Sequence, residues 1–285
     1  MQTDVRATVT ALTQSARSFT DTATVSQFLS ELDAGSFRPT PNFLLSFPRS
    51  GNGYVRLLLA RAMLLSHGLD PAEAVLEVYD HTNDGVQAQR FNFEEKGMEV
   101  SVETIVPDMY ANPSSRLLNF DDAFQFGSTK LIKTHHAVPR DTANYLYLYR
   151  DPKTCCTSYF HLVNWWQAAN LEETDEIRPI FTEVVREFLE VYSFLAREAL
   201  AAERSGQCHL VSLERIVDGD LSQLDRWLRW RQVDNEEALL ERAGELSGFY
   251  SVFDQGLFSI WSAELDHALK EADGLFQELN ARPTC

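Results

Sequence analysis

Three short stretches carry residues whose types and spacing could do chemistry. The first is Ser46-Phe47-Pro48-Arg49-Ser50-Gly51-Asn52-Gly53-Tyr54. Gly51 and Gly53 let the backbone bend sharply and turn N–H groups inward, and Arg49 sets a permanent positive charge beside them. Such a turn ahead of a helix binds an anion, because the N–H groups and the positive helix end converge on one point. The second stretch is Lys133-Thr134-His135-His136. An imidazole with its ordinary pKa of about 6.5 is mostly neutral near neutral pH and can accept a proton, so His135 is the candidate general base. Lys133 is a cation able to hold charge that develops in a transition state. His136 points to the other side of an extended chain and is the weaker candidate. The third stretch runs from Arg150 to Ser158 and sets a guanidinium eight residues ahead of a hydroxyl.

These residues need elements to hold them. The apolar run Phe43 to Phe47 has strand length, Pro48 ends it, and Leu57, Leu58, Leu59, Ala60, Met63 and Leu64 are spaced as a helix over Asn52 to about Ser66. Leu131 to His135 reads as a short strand with His135 at its C-terminal end, and Asn144 to Tyr149 as a buried strand ending at Arg150. A helix follows from near Asp151, with Asp151 as N-cap and Pro152 in the first turn, and runs through Ser158 towards Trp166. Further helices are predicted near Val25 to Leu32 and over Ile180 to Ala202, Leu221 to Trp230, Glu236 to Glu245 and Phe258 to Leu279, with a strand over Cys208 to Leu213. Gly35 to Pro41 reads as a loop. Strands that alternate with helices predict an α/β fold with a parallel sheet, whose strand ends are where ligands bind.

In this order the three stretches resemble the sulfotransferases that use 3′-phosphoadenosine 5′-phosphosulfate (PAPS). Ser46 to Tyr54 is similar to that family's 5′-phosphosulfate loop, Lys133-Thr134-His135 resembles its Lys-Thr-His catalytic segment, and Arg150 to Ser158 resembles its 3′-phosphate site, with Arg and Ser at the same separation. The resemblance implies a P-loop NTPase-like three-layer α/β fold, with a central parallel β-sheet flanked by helices. It also implies transfer of the sulfuryl group from PAPS to a hydroxyl or amine of a small-molecule acceptor, with PAPS as co-substrate and no metal. His135 would be the general base, with Lys133 and Arg49 holding charge on the transferred group and the departing phosphate. The backbone of Ser50, Gly51, Asn52, Gly53 and Tyr54 would cradle the 5′-phosphate, Tyr54 would stack on adenine, and Arg150 and Ser158 would hold the 3′-phosphate.

The chain departs from the family's pattern in four places. Arg49 stands for lysine, Asn52 and Gly53 replace the hydroxyls after the glycine, and Leu213-Glu214-Arg215 stands for Tyr-Glu-Asp. No Arg-Lys-Gly cluster precedes Gly256-Leu257-Phe258-Ser259-Ile260-Trp261, which only faintly resembles the family's terminal motif. Two other readings stay open. A P-loop-type kinase would need Gly-x-x-x-x-Gly-Lys-Ser/Thr, which the sequence lacks. A non-catalytic sulfonucleotide-binding protein would use Arg49, Arg150 and Ser158 but would not need His135.

At 285 residues and 44% hydrophobic composition the chain can bury a full core, read here as a single domain over 1–285. No apolar run approaches the roughly 18 residues of a membrane span, and no basic-then-apolar leader opens the chain, so no membrane partner is expected and the soluble, cytoplasmic branch of the resembling family fits. A net charge of −17 excludes general nucleic-acid binding. Cys155, Cys156, Cys208 and Cys285 show neither metal spacing nor a disulfide framework and read as reduced thiols, with Cys155 and Cys156 as small core fillers. Residues 67–128 hold twelve Asp or Glu against Arg90, Lys96 and Arg116, and show poor periodicity broken by Pro71, Pro107 and Pro113. In the resembling family this region builds much of the acceptor pocket. Acid pairs such as Glu94-Glu95 or Asp121-Asp122, with Phe91 and Phe93 as an apolar wall, would favour a cationic, alkaloid-like acceptor.

Overall fold

Strand β6 (Asn144–Tyr149) shows how the sequence builds the sheet. Its Tyr-Leu-Tyr-Leu-Tyr run sends tyrosines to one face and leucines to the other, and both faces are buried, as a parallel sheet requires. A computed structural model describes residues 5–34, 40–80, 87–109, 124–140, 143–168, 177–231, 240 and 261–282. Before β6 come helices α1 (Val5–Ser18) and α2 (Ala23–Ala34), strand β1 (Thr40–Leu45), helix α3 (Asn52–Ser66), strands β2 (Val75–Asp80), β3 (Gln87–Phe93) and β4 (Met98–Ser101), the short helix α4 (Val102–Ile105) and strand β5 (Thr129–Thr134). After it come helices α5 (Pro152–Ala168) and α6 (Ile177–Arg204), strand β7 (Cys208–Ser212) and helices α7 (Leu213–Val217), α8 (Ser222–Trp230) and α9 (Ala263–Ala281).

The central sheet is parallel in the order β5-β1-β6-β7. In register, Leu45 lies opposite both Thr134 and Tyr147, and Tyr149 opposite Ser212, so the C-terminal ends of the four strands share one edge. Phe43, Leu45, Ile132 and the β6 tyrosines pack with Phe28, Phe181, Phe188, Leu195 and Leu269 of α2, α6 and α9. On the opposite face Leu44, Leu131, Leu146, Leu148 and Val211 pack with Leu58 and Leu59 of α3 and Trp227 of α8. Helix, sheet and helix form three layers, the α/β architecture with a central parallel sheet that the sequence predicts. Along α6, α9 is pinned by the ion pairs Arg186–Glu264, Arg197–Glu271 and Arg204–Glu278, and its Asn280 reaches the Tyr149 hydroxyl at 3.2 Å.

Two regions differ from the sequence expectation. Helix α1 was not foreseen, because only Val9, Leu12 and Ala16 mark its inner face among polar residues. It is held by packing and by the fork of Arg17 on Glu187, with both N···O distances 2.6 Å. The supposedly aperiodic 67–128 segment contains a three-stranded antiparallel sheet, β2-β3-β4. Phe91 and Phe93 alternate with Arg90 and Asn92 along β3 and are fully buried in the core beside α3, so they are not the acceptor wall expected of them. The predicted helix Glu236 to Glu245, apart from Leu240, and the 256–260 stretch fall outside the described residues, as do Asp121 and Asp122. Cys155, Cys156 and Cys208 are buried free thiols.

Candidate functional site

All three stretches meet at the C-terminal edge of the sheet. The loop after β1 leads into α3 through Gly51, which has φ 91 and supplies the helix N-cap without a side chain. A Cβ at Gly51 would meet Leu213 Cδ1 at 2.4 Å, so this glycine is required both by its backbone angle and by the leucine packed beneath the loop. Gly53 is different. It lies within the first helical turn, is exposed, and a Cβ there would meet nothing within 4 Å. The second left-handed residue is instead Arg49, with φ 69, a conformation that costs a non-glycine residue roughly 1–3 kcal/mol and gathers at functional sites. Ser50 is fully buried and its hydroxyl has no hydrogen-bond partner among the described residues, a group that a bound oxyanion would satisfy. The Ser46 hydroxyl donates to Asn52 Oδ1 at 2.8 Å and closes the loop onto the helix. These features fit an anion cradle.

His135 follows β5, beside Ser46, which follows β1. Its Nδ1 lies 2.7 Å from the Ser46 carbonyl oxygen. A carbonyl can only accept, so Nδ1 carries the proton and Nε2 the lone pair. Burial, then the neighbouring Lys133 charge, push the imidazole down to about 3 despite that hydrogen bond. The ring is therefore neutral and its basic nitrogen is fixed. His136 is taken up structurally: its Nδ1 donates to the Ser18 carbonyl at 2.6 Å. Phe19, at the end of α1, has its ring centroid 5.7 Å from His135 and, on another side, 6.3 Å from Tyr159, which puts one aromatic side chain beside the imidazole.

Lys133 is the penultimate residue of β5, with its Nζ 2.7 Å from Asp108 Oδ2. Burial acts to raise the Asp108 carboxyl, but the charges of Lys133 and Arg56 outweigh it and hold the group below its usual range. Burial likewise lowers the Lys133 ammonium, with Asp108 opposing. Lys130, three residues earlier and fully buried, donates to the carbonyls of Thr104 at 2.7 Å and Phe124 at 2.9 Å.

The third stretch opens as predicted. The Asp151 side chain accepts from Thr154 N at 2.7 Å as the N-cap, and Pro152 is the first residue of α5. Arg150 Nη1 donates to the Arg49 carbonyl at 3.2 Å, and Arg49 Nε donates to Ser158 Oγ at 3.1 Å. The left-handed turn at Arg49 thus aims its carbonyl at one cation and its guanidinium at the helix hydroxyl. Glu214 locks the corner by accepting from Asp151 N at 2.8 Å and from the Ser212 hydroxyl at 3.0 Å. Arg49, Ser50, Gly51, Asn52, Arg150 and Ser158 therefore form one cationic, N–H-rich edge, with Lys133 near the end of the neighbouring strand β5 and His135 just after it. Tyr54 is half-buried and packs on the α3 side.

Sequence reasoning missed Asp108, Arg56, Phe19 and the corner role of Glu214, all of which reach the site through contacts distant in sequence. It also read acid pairs of the 67–128 segment as facing a cationic acceptor. Instead Glu77 and Glu99 pair with Arg90, Glu73 with Lys96, Glu103 with Arg56 and Asp108 with Lys133, while Glu94 and Glu95 lie exposed on a surface turn. Among the described residues no group of three or more His, Cys, Asp or Glu could hold a metal ion, and no helix is long and apolar enough to cross a membrane. The protein-family model described as "Sulfotransferase domain" matches residues 39–232, which include every candidate site residue. A comparison with curated proteins finds no match.

Proposed function

The chain belongs to the sulfotransferase family, and on that premise we propose that it transfers the sulfuryl group of PAPS to a hydroxyl or amine of a small-molecule acceptor. The observation that carries the donor assignment is the Arg49 bridge, from the anion cradle to Ser158 at 3.1 Å and, through its carbonyl, to Arg150 at 3.2 Å. Two anion positions joined by one arginine suit a nucleotide with phosphates on both its 5′ and 3′ oxygens. The donor supplies an activated sulfuryl group whose S–O bond breaks with the electron pair going to the 5′-phosphate. Arg49 and the loop N–H groups neutralise that phosphate. The acceptor oxygen or nitrogen bonds to sulfur as His135 Nε2 takes its proton, and Lys133 holds charge on the moving group. Tyr54 stacks on the adenine. No metal takes part.

For the acceptor, the Phe19 ring beside His135 and the net charge of −17 support a cationic, alkaloid-like molecule. An acceptor panel assayed at low and high salt checks this. Cation turnover should fall as salt rises, and a preference for neutral phenols would exclude it. The donor assignment is tested by calorimetry: adenosine 3′,5′-bisphosphate should bind 1:1 and lose at least about tenfold in affinity without its 3′-phosphate, a bidentate arginine contact being worth roughly 1.5–3 kcal/mol. Unchanged affinity would overturn it.

A further inference from the structure

The residues Pro107, Asp108 and Met109 lie alongside β5 as an added fragment of parallel strand. Lys133 N donates to the Pro107 carbonyl at 2.8 Å, and Met109 N donates to the Lys133 carbonyl at 3.0 Å. This fragment therefore holds both the N–H and the carbonyl of Lys133, and the bridge pairs the lysine directly with Asp108. Paired residues of neighbouring strands project to the same face, which brings the carboxylate to 2.7 Å from the ammonium. Both side chains are largely withdrawn from water, 10% and 13% exposed. Asp108 is itself anchored to the loop helix. Arg56 of α3 donates twice to the Val106 carbonyl, at 2.6 and 3.0 Å, and once to Glu103 Oε1 at 3.2 Å. A continuous polar path thus runs from α3, which begins at the anion cradle, through Arg56 and residues 103–108, to Lys133 two residues before His135.

We propose that Asp108 is a positioning residue, whose carboxylate holds and aims the Lys133 ammonium on which charge of the transferred group falls. This rests on the sulfuryl-transfer reading, in which Lys133 acts on the moving group. An ammonium in so dry a place favours losing its proton, and the charges around it are Asp108 in its favour and Arg56 against. With Asp108 removed, Arg56 and burial act on Lys133 unopposed by that carboxylate. The lysine would then lose its proton at lower pH and its side chain would lose its direction. Asp108 acts through Lys133 and not on the acceptor's proton, which belongs to His135.

The test has two readouts, one independent of turnover. Lysine ¹³Cε NMR follows the Lys133 titration in the wild-type protein and in Asp108→Asn, where the midpoint should fall by roughly one to three pH units. Turnover of Asp108→Asn should lose its alkaline limb at correspondingly lower pH and fall about tenfold or more above neutrality, with affinity for adenosine 3′,5′-bisphosphate within about threefold of wild type and recovery in Asp108→Glu. An unshifted midpoint overturns the proposal, and so does a shifted midpoint with wild-type turnover at high pH. If Asp108→Asn does not fold, Lys133→Gln/Asp108→Asn removes both charges. Its activity should equal that of Lys133→Gln, and a further loss would show that Asp108 acts elsewhere. Failure of wild-type protein to bind the bisphosphate would instead count against the sulfuryl-transfer reading, and the Lys133 midpoint would still decide what Asp108 does.

Discussion

At the scale of single residues, His135 owes its usefulness to the Ser46 carbonyl, which fixes the tautomer, and to burial, which keeps the ring neutral. Replacing it by alanine should cut transfer by about 10²–10⁴-fold while donor affinity stays nearly unchanged. Because the free imidazole is pushed down to about 3, kcat/KM for the donor should show no acid limb near pH 6.5, and a limb there would place His135 in an ordinary solvated setting. Arg49 sets function against stability, since its side chain serves the site while its left-handed backbone is strained. Arg49→Gly and Arg49→Ala both remove the guanidinium and should both lose transfer. Denaturant melts should find the glycine variant more stable by about 1 kcal/mol, because only the backbone preference separates the two. Equal stabilities would mean that Arg49 bears no strain.

At the scale of elements, the anion cradle depends on α7 as much as on the loop, since Leu213 fills the space beneath Gly51. Gly51→Ala should cost roughly 2–4 kcal/mol, from the left-handed backbone and the overpacked leucine together. Adding Leu213→Ala should recover part of that loss, whereas strictly additive losses would separate the loop from α7. That dependence explains what the sequence could and could not show. The strand, turn and helix read over Phe43 to Ser66 are legible because apolar period, proline and glycine all act within a few residues, although the strand begins at Thr40, within the stretch read as a loop, and ends at Leu45. Strand β6 and the Asp151 cap are legible for the same reason. Nothing local marks Leu213 as the floor of the loop, or Asp108 as the partner of a lysine 25 positions away. Helix α1 escaped notice because its inner face is narrow, and β2 to β4 because short strands with charged outer residues imitate an irregular acidic segment. The glycine pattern misled in one respect, since the bend requires Arg49 and Gly51 and not Gly53.

At the scale of the whole molecule, parallel strand order gathers the cradle, the base and the Arg150–Ser158 pair on one edge, while much of the described acid is spent on ion pairs elsewhere. At the opposite edge, His209 near the start of β7 packs tilted against Trp230 with centroids 4.4 Å apart. Burial, then Arg231 and Arg226, push its imidazole down to about 4. An unfolded histidine binds its proton at higher pH than this native one, so the stability that His209 contributes is present above about pH 6.5 and is lost as pH falls towards 4. Thermal melts should show the stability gap between wild type and His209→Gln shrinking by about 1–2 kcal/mol from pH 7.5 to pH 5, and a constant gap would exclude the linkage. The central claim concerns the other edge, and it is tested most directly by incubating the protein with sulfate-labelled PAPS and a panel of hydroxyl and amine acceptors, without magnesium, beside His135→Ala. The account predicts label in an acceptor with wild-type protein and at least about a hundredfold less with the variant at equal donor occupancy. Donor binding without label in any acceptor, or equal transfer by the two proteins, would contradict it.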